Sequence, residues 1–207
     1  MWNRTENQIK LILIRHGETA ANKEHRYLGR MDETLSIEGK EKLLQYEKQG
    51  KYPKVDMVFT SPMKRCKETA QILYAAVTTR EIPEWTEMDF GDFEGKNYTE
   101  LQQDKRYQAW IDSNGTLPFP NGESRKVFIR RCMQGMKKLV QCLFDEMTDK
   151  KIEAVAAVVH GGTIMALLSS ICGGEYFDYQ VKNGEGFVCN LTLEKGKTWN
   201  ITLLHLL

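Results

Sequence analysis

The chain has 207 residues, 41% hydrophobic and 28% charged, and its 29 Lys plus Arg against 28 Asp plus Glu leave a formal charge of +1. That length suits one domain with a full core, and the balanced charge argues against a general nucleic-acid or membrane-surface binder. Sixteen Gly and five Pro argue against a low-complexity chain.

The start, residues 1–10, is polar and lacks a signal-peptide core. No apolar run approaches the about 18 residues needed to cross a bilayer. Cys66, Cys132, Cys142, Cys172 and Cys189 contain no C-x-x-C and are odd in number, which reads as reduced thiols in a cytoplasmic protein.

Ile9 to Ile14 (I-K-L-I-L-I) is a short apolar run stopping at Arg15 and predicts a buried strand. Ser36 opens a helix to about Gly50, with Leu43, Leu44 and Tyr46 turned inward. Val55 to Phe59 predicts a second strand. Ser61 as N-cap and Pro62 at the first helical position then start a helix through Ala70, Ile72 and Leu73. Residues 80–95 read as a short extended piece and a Gly-punctuated loop. Asn97-x-x-Glu100 caps a short helix toward Trp110, and 114–122 is loop. From Ser124 to Met147, apolar residues at Phe128, Cys132, Met136, Leu139, Leu143 and Met147 keep the period of an amphipathic core helix. Ala154 to Val159 predicts another buried strand, a helix begins near Thr163, and two terminal strands flank Gly196. Alternating strands and helices indicate an α/β sandwich with a mostly parallel sheet.

Three of these strands end in polar residues. The first runs into Arg15-His16-Gly17-Glu18-Thr19, the second into Thr60-Ser61-Pro62-Met63-Lys64-Arg65, the third into His160-Gly161-Gly162-Thr163. Carboxyl ends of parallel strands share one edge, where ligands bind, so two histidines and two arginines meet in one crevice. Gly17 and Gly161 let backbone approach a ligand there. Paired guanidiniums match a tetrahedral oxyanion, phosphate above all. No Walker loop or G-x-G-x-x-G occurs, and histidines flanked by arginines disfavour a divalent metal. Positive neighbours keep an imidazole such as His16 neutral and nucleophilic. His25 and His205 lack this setting and read as structural. The acidic stretch Glu84, Glu87, Asp89, Asp92 and Glu94 offers an acid without singling one out.

The run Arg15-His16-Gly17-Glu18-Thr19-x-x-Asn22, followed by Gly29, Asp32, Leu35-Ser36 and Gly39, resembles the histidine phosphatase superfamily, which includes cofactor-dependent phosphoglycerate mutases. Thr60-Ser61-Pro62-x-x-Arg65-x-x-x-Thr69-Ala70, Glu87-Met88-x-Phe90-Gly91-x-Phe93-Glu94-Gly95, Gly122-Glu123-Ser124 and His160-Gly161-Gly162 follow in family order. The resemblance implies a three-layer α/β/α sandwich of the phosphoglycerate mutase-like kind, one domain over 1–207 with a lid or insertion at about 89–123. It implies that His16 becomes phosphohistidine, that Arg15, Arg65 and His160 hold the phosphoryl group with Asn22 helping, and that Glu87 is the proton donor and acceptor. Gly17, Gly29 and Gly161 join the implied substrate-binding set. No metal or cofactor is implied. Leu28 stands where relatives commonly carry Gln or Thr, which points to a more apolar substrate. Glu123 and Ser124 either line the pocket or cap the long helix, with the cap favoured for Ser124.

The block around Phe90 to Gly95 looks like the phosphatase branch, and the P-x-G-E-S run resembles α-ribazole phosphatases of cobalamin biosynthesis. The partner implied is a small phosphomonoester. Lys96, Lys105 and Arg106 keep a phosphoglycerate mutase as the alternative. A non-catalytic phosphate-binding or interaction module ranks below both, because all five catalytic candidates are present. Tyr107, Trp110 and Phe119 either stack on an aromatic base or, the favoured reading, pack on one another.

Overall fold

The first apolar run becomes strand β1 (Glu6–Arg15) in the computed structural model, which describes residues 6–148, 150–194 and 198–207. A single turn α1 (Ala20–Lys23), helix α2 (Ile37–Lys48), β2 (Met57–Thr60), α3 (Lys64–Tyr74) and β3 (Thr79–Glu81) follow. Two short helices, α4 (Tyr98–Leu101) and α5 (Lys105–Asp112), precede the long α6 (Arg125–Glu146). Then come β4 (Ala154–Val159), α7 (Gly161–Cys172), β5 (Gly186–Glu194) and β6 (Trp199–Leu206). The strand order is β3-β2-β4-β1-β5-β6, parallel from β3 to β1 and antiparallel at the last two pairings. This is the expected mostly parallel sheet. The two terminal strands are present, and Gly196 between them lies outside the described residues.

Alternation along the strands divides the core into two layers. Ile9, Leu11 and Leu13 join Val155, Ala157, Met57 and Phe59 on one face, under α6 and α7. Ile12, Ile14, Val58, Ala156 and Val158 pack on the other face against Leu43 of α2 and Cys66, Ala70 and Leu73 of α3. Slipping β1 by one residue would exchange these two sets, so the register is held by both layers together. It pairs Arg15 with Val159 and Thr60 with Val158. His16, Ser61 and His160 therefore leave the sheet at one edge.

Two local expectations need correction. Ser61 does not cap α3; the helix starts at Lys64 with Met63 in the cap position, and the Ser61 hydroxyl bonds His160 instead. On α2 only Leu43 turns fully inward. Leu44 is exposed, and the half-buried Tyr46 carries Lys51 over its ring face. Other caps follow the sequence. Asn97 and Glu100 form a capping box on α4, and Ser124 Oγ accepts the Val127 amide at the start of α6.

Candidate active site

His16 is 3% exposed, one residue beyond β1. Its Nδ1 lies 2.7 Å from the Gly17 carbonyl oxygen. A carbonyl only accepts, so Nδ1 carries the proton and donates it, leaving Nε2 with a bare lone pair. Burial, then the charges of Arg65 and Arg15, push the His16 pKa well below 6.5, outweighing the opposing Gly17 bond. The imidazole is neutral and oriented for nucleophilic attack. Asn183 steadies the same segment, its Nδ2 donating to the His16 carbonyl at 3.1 Å and to Asn22 Oδ1 at 3.0 Å.

Arg65 is wholly buried on the first turn of α3. Its terminal nitrogens donate to the carbonyls of Met31 and Gly29 at 2.9 Å each. Arg15 donates to the Val181 carbonyl at 2.7 Å; burial lowers its pKa, with Glu87 opposing and Arg65 adding. The Nε of each arginine is buried and has no partner among the described residues. Each therefore keeps one N–H for an anion.

His160 caps α7 and stands edge-on to His16, with ring centroids 5.2 Å apart. Its Nε2 is 2.8 Å from Ser61 Oγ, and its Nδ1 is 3.9 Å from Glu87 Oε2. Burial first, then Arg65, His16 and Arg15, hold its pKa well below 6.5.

Among the five acidic candidates, Glu87 alone lines the cleft. Glu84 pairs with Lys138, Asp89 with Arg30 and Asp92 with Arg106, while Glu94 accepts the amides of Gly29 and Met31. Burial raises the Glu87 pKa, against the lowering from the Met88 amide and from Arg65, Arg15 and Arg131. That suits a carboxyl that must carry a proton. Gly162 makes room for it, since a Cβ there would sit 2.7 Å from Glu87 Oε1. One face of α6 forms its bed: Gly135 packs on Trp85, where a Cβ would approach Nε1 to 2.5 Å, and the Trp85 indole donates to the Cys132 carbonyl at 3.2 Å.

The cleft has a volume of about 910 Å³. Arg15, His16, Asn22, Glu87 and Gly161 line it; Arg65 and His160 are fully buried and are not among the lining residues. Gly17 and Gly29 do not line it. At Gly17 a Cβ would lie 2.6 Å from Leu43 Cδ1 of α2. Sequence reasoning missed His25, Arg125, Lys182 and Asn183 in the lining; only the Asn183-Gly184 turn dipeptide signalled one of them. Leu28, Met88, Phe90, Trp110, Phe119 and Tyr176 supply apolar wall. Tyr107 stacks on Trp110 at 6.3 Å and Trp110 tilts on Phe119 at 4.8 Å, so these aromatics pack on one another. Among the described residues, no group of three His, Cys, Asp or Glu side chains is arranged to hold a metal ion, and no helix is long and apolar enough to cross a membrane.

A neutral buried imidazole under the charge of two guanidiniums, at the carboxyl edge of a parallel sheet, marks the class of enzymes that move a phosphoryl group through histidine. The chain belongs to the histidine phosphatase superfamily (branch 1), which it matches over residues 11–205. It is similar to the uncharacterized phosphatase PhoE of Bacillus subtilis, 35% identical over 80% of this chain and 78% of that protein. The adenosylcobalamin/alpha-ribazole phosphatase of Escherichia coli is 28% identical over 80% of each. The alpha-ribazole phosphatase of Shigella flexneri superposes with a TM-score of 0.75 at 25% identity, over 95% of this chain and 96% of that one. The fold is phosphoglycerate mutase-like, the chain is an enzyme, and phosphatase chemistry is the function its family and relatives support.

Proposed function

We propose that the chain hydrolyses a small phosphomonoester through a phosphohistidine on His16. One observation carries the reading: the bare, buried Nε2 of a neutral His16 beside two guanidiniums that each keep a free N–H. Nε2 attacks phosphorus in line, forming the P–N bond as the ester P–O bond breaks. Arg15, Arg65 and His160, with Asn22 at the cleft wall, spread the charge on the equatorial oxygens. Glu87 gives its proton to the departing oxygen, then takes one from the water that attacks phosphohistidine, releasing phosphate and free imidazole. This acid–base help is worth about 10² to 10⁴ in rate.

Residues 89–123 form the lid in this reading, with Trp110 and Phe119 facing the cleft. The apolar wall and Leu28 favour a phosphate carried by a flat apolar group, and α-ribazole 5′-phosphate has that chemistry. The mutase alternative loses its basic segment, because none of Lys96, Lys105 and Arg106 lines the cleft. Lys96 binds the Asp92 carbonyl and Arg106 pairs with Asp92 and Asp104.

The test is kcat/KM over a panel containing α-ribazole 5′-phosphate, aryl phosphates, phosphoserine and 3-phosphoglycerate, with and without chelator. Release of phosphate, unaffected by chelator and best for aromatic esters, is expected. Isomerisation of 3-phosphoglycerate without phosphate release would establish the mutase instead, and no turnover by folded protein would favour a binding module.

A further inference from the structure

We infer that Glu123 and Arg131 are positioning residues for the Glu87 carboxyl; the inference rests on the reading of Glu87 as proton donor. Arg131 lies on α6, one turn before the Gly135 that receives Trp85. Every N–H of its guanidinium has a partner on the acid segment or on Glu123. One terminal nitrogen donates to the carbonyls of Glu84 and Thr86 at 2.7 and 2.6 Å. The other donates to the Glu87 carbonyl at 3.3 Å and to Glu123 Oε2 at 2.8 Å. Nε donates to Glu123 Oε1 at 3.2 Å. Three carbonyls within four residues are thus clamped to one helix. Only a planar five-donor fork does this; an ammonium offers three donors around a point.

Glu123 holds the fork and joins it to the lid. Its carboxylate is 8% exposed, and the ion pair is shielded on both sides. Its backbone amide donates to the Asp89 carbonyl at 2.9 Å, two residues after Glu87. Its carbonyl accepts the Phe119 amide at 3.3 Å, tying in the segment that carries a cleft-lining aromatic. Neither Glu123 nor Arg131 lines the cleft, and all five N–H groups of Arg131 are already committed to Glu123 and to the backbone of residues 84–87. Both act through Glu87: the pair fixes backbone before and after it, while the Met88 amide fixes Oε1 at 2.8 Å. Misplacement by about 1 Å costs about 10² in rate. That loss falls on substrates whose leaving oxygen needs the proton.

Leaving-group dependence separates positioning from general damage. kcat/KM, which reports the first phosphoryl transfer, is measured for wild type, Glu87→Gln, Arg131→Lys and Glu123→Gln. The substrates are 2,4-dinitrophenyl, 4-nitrophenyl and phenyl phosphate and an alkyl phosphate. Arg131→Lys and Glu123→Gln are expected to lower kcat/KM for the phenyl and alkyl esters about 10- to 100-fold while leaving the dinitrophenyl ester within about threefold. Glu87→Gln shows the same slope, more steeply. Equal loss across all four esters in both variants, or no loss in either, overturns the positioning role. If Glu87→Gln itself has a flat profile, the reading of Glu87 as acid fails, which is a distinct result. Circular dichroism identifies a variant that does not fold, and the other variant then decides.

Discussion

Acidification should destabilise this fold by an amount set by two imidazoles. His16 and His160 have folded pKa values well below 6.5, through burial first and Arg65 next. In the unfolded chain both take up protons near 6.5. Below that pH the unfolded state binds more protons than the native one. Stability is therefore full above 6.5 and is lost as pH falls toward the folded values. Each histidine contributes a slope of up to about 1.4 kcal/mol per pH unit, so the pair contributes up to about 2.7. Glu87 runs the other way. Its raised folded pKa gives stability below its unfolded value that is lost as pH rises through the folded one. Where the windows overlap, the net slope of the three groups falls to about 1.4 kcal/mol per pH unit. Urea denaturation between about pH 8 and pH 5 reads the slope directly. His16→Asn should flatten it by about 1.4 kcal/mol per pH unit relative to wild type. Identical slopes in the two proteins would mean that His16 takes up its proton equally in the native and unfolded states, and the electrostatic reasoning would be refuted.

Gly162→Ala places a Cβ 2.7 Å from Glu87 Oε1, the oxygen bonded to the Met88 amide. kcat/KM for phenyl phosphate should fall about 10- to 100-fold, and an unchanged value would show that the carboxyl is free to move. Gly135→Ala gains about 1 kcal/mol of helix propensity but meets Trp85 Nε1 at 2.5 Å and Ile82 at 3.0 Å. Thermal denaturation should show a net loss of about 1 to 2 kcal/mol from overpacking. The reactive form has His16 neutral and Glu87 protonated, so kcat/KM should fall on the alkaline side as Glu87 loses its proton. Glu87→Gln should remove that limb of the pH–rate profile.

The strand ends were legible because apolar runs stop abruptly at Arg15, Thr60 and His160, and parallel pairing then brings them to one edge. Ser61 misled for a physical reason. Ser-Pro is a strong helix-start signal, but the same hydroxyl satisfies a buried His160 99 residues away, and long-range pairing of a buried ring outweighs a local cap. Leu44 misled because α2 is amphipathic over a narrow stripe in which only Gly39 and Leu43 are buried. The acid could not be chosen from composition. Its neighbours are taken up by ion pairs or loop amides outside the cleft, whereas Glu87 lines it, a property of packing rather than of spacing. The clamp by Arg131 was equally hidden, since a helix arginine reads as a surface charge until α6 is laid against residues 84–87.

Trapping the covalent species tests the nucleophile most directly. An alkaline quench during turnover of a rapidly cleaved aryl phosphate preserves phosphohistidine, and ³¹P NMR of the isolated peptide assigns the nitrogen. Because Nδ1–H is committed to the Gly17 carbonyl, phosphate is predicted on Nε2 of His16. Full-rate hydrolysis with no phosphate on His16, or with phosphate on another side chain, would contradict the account.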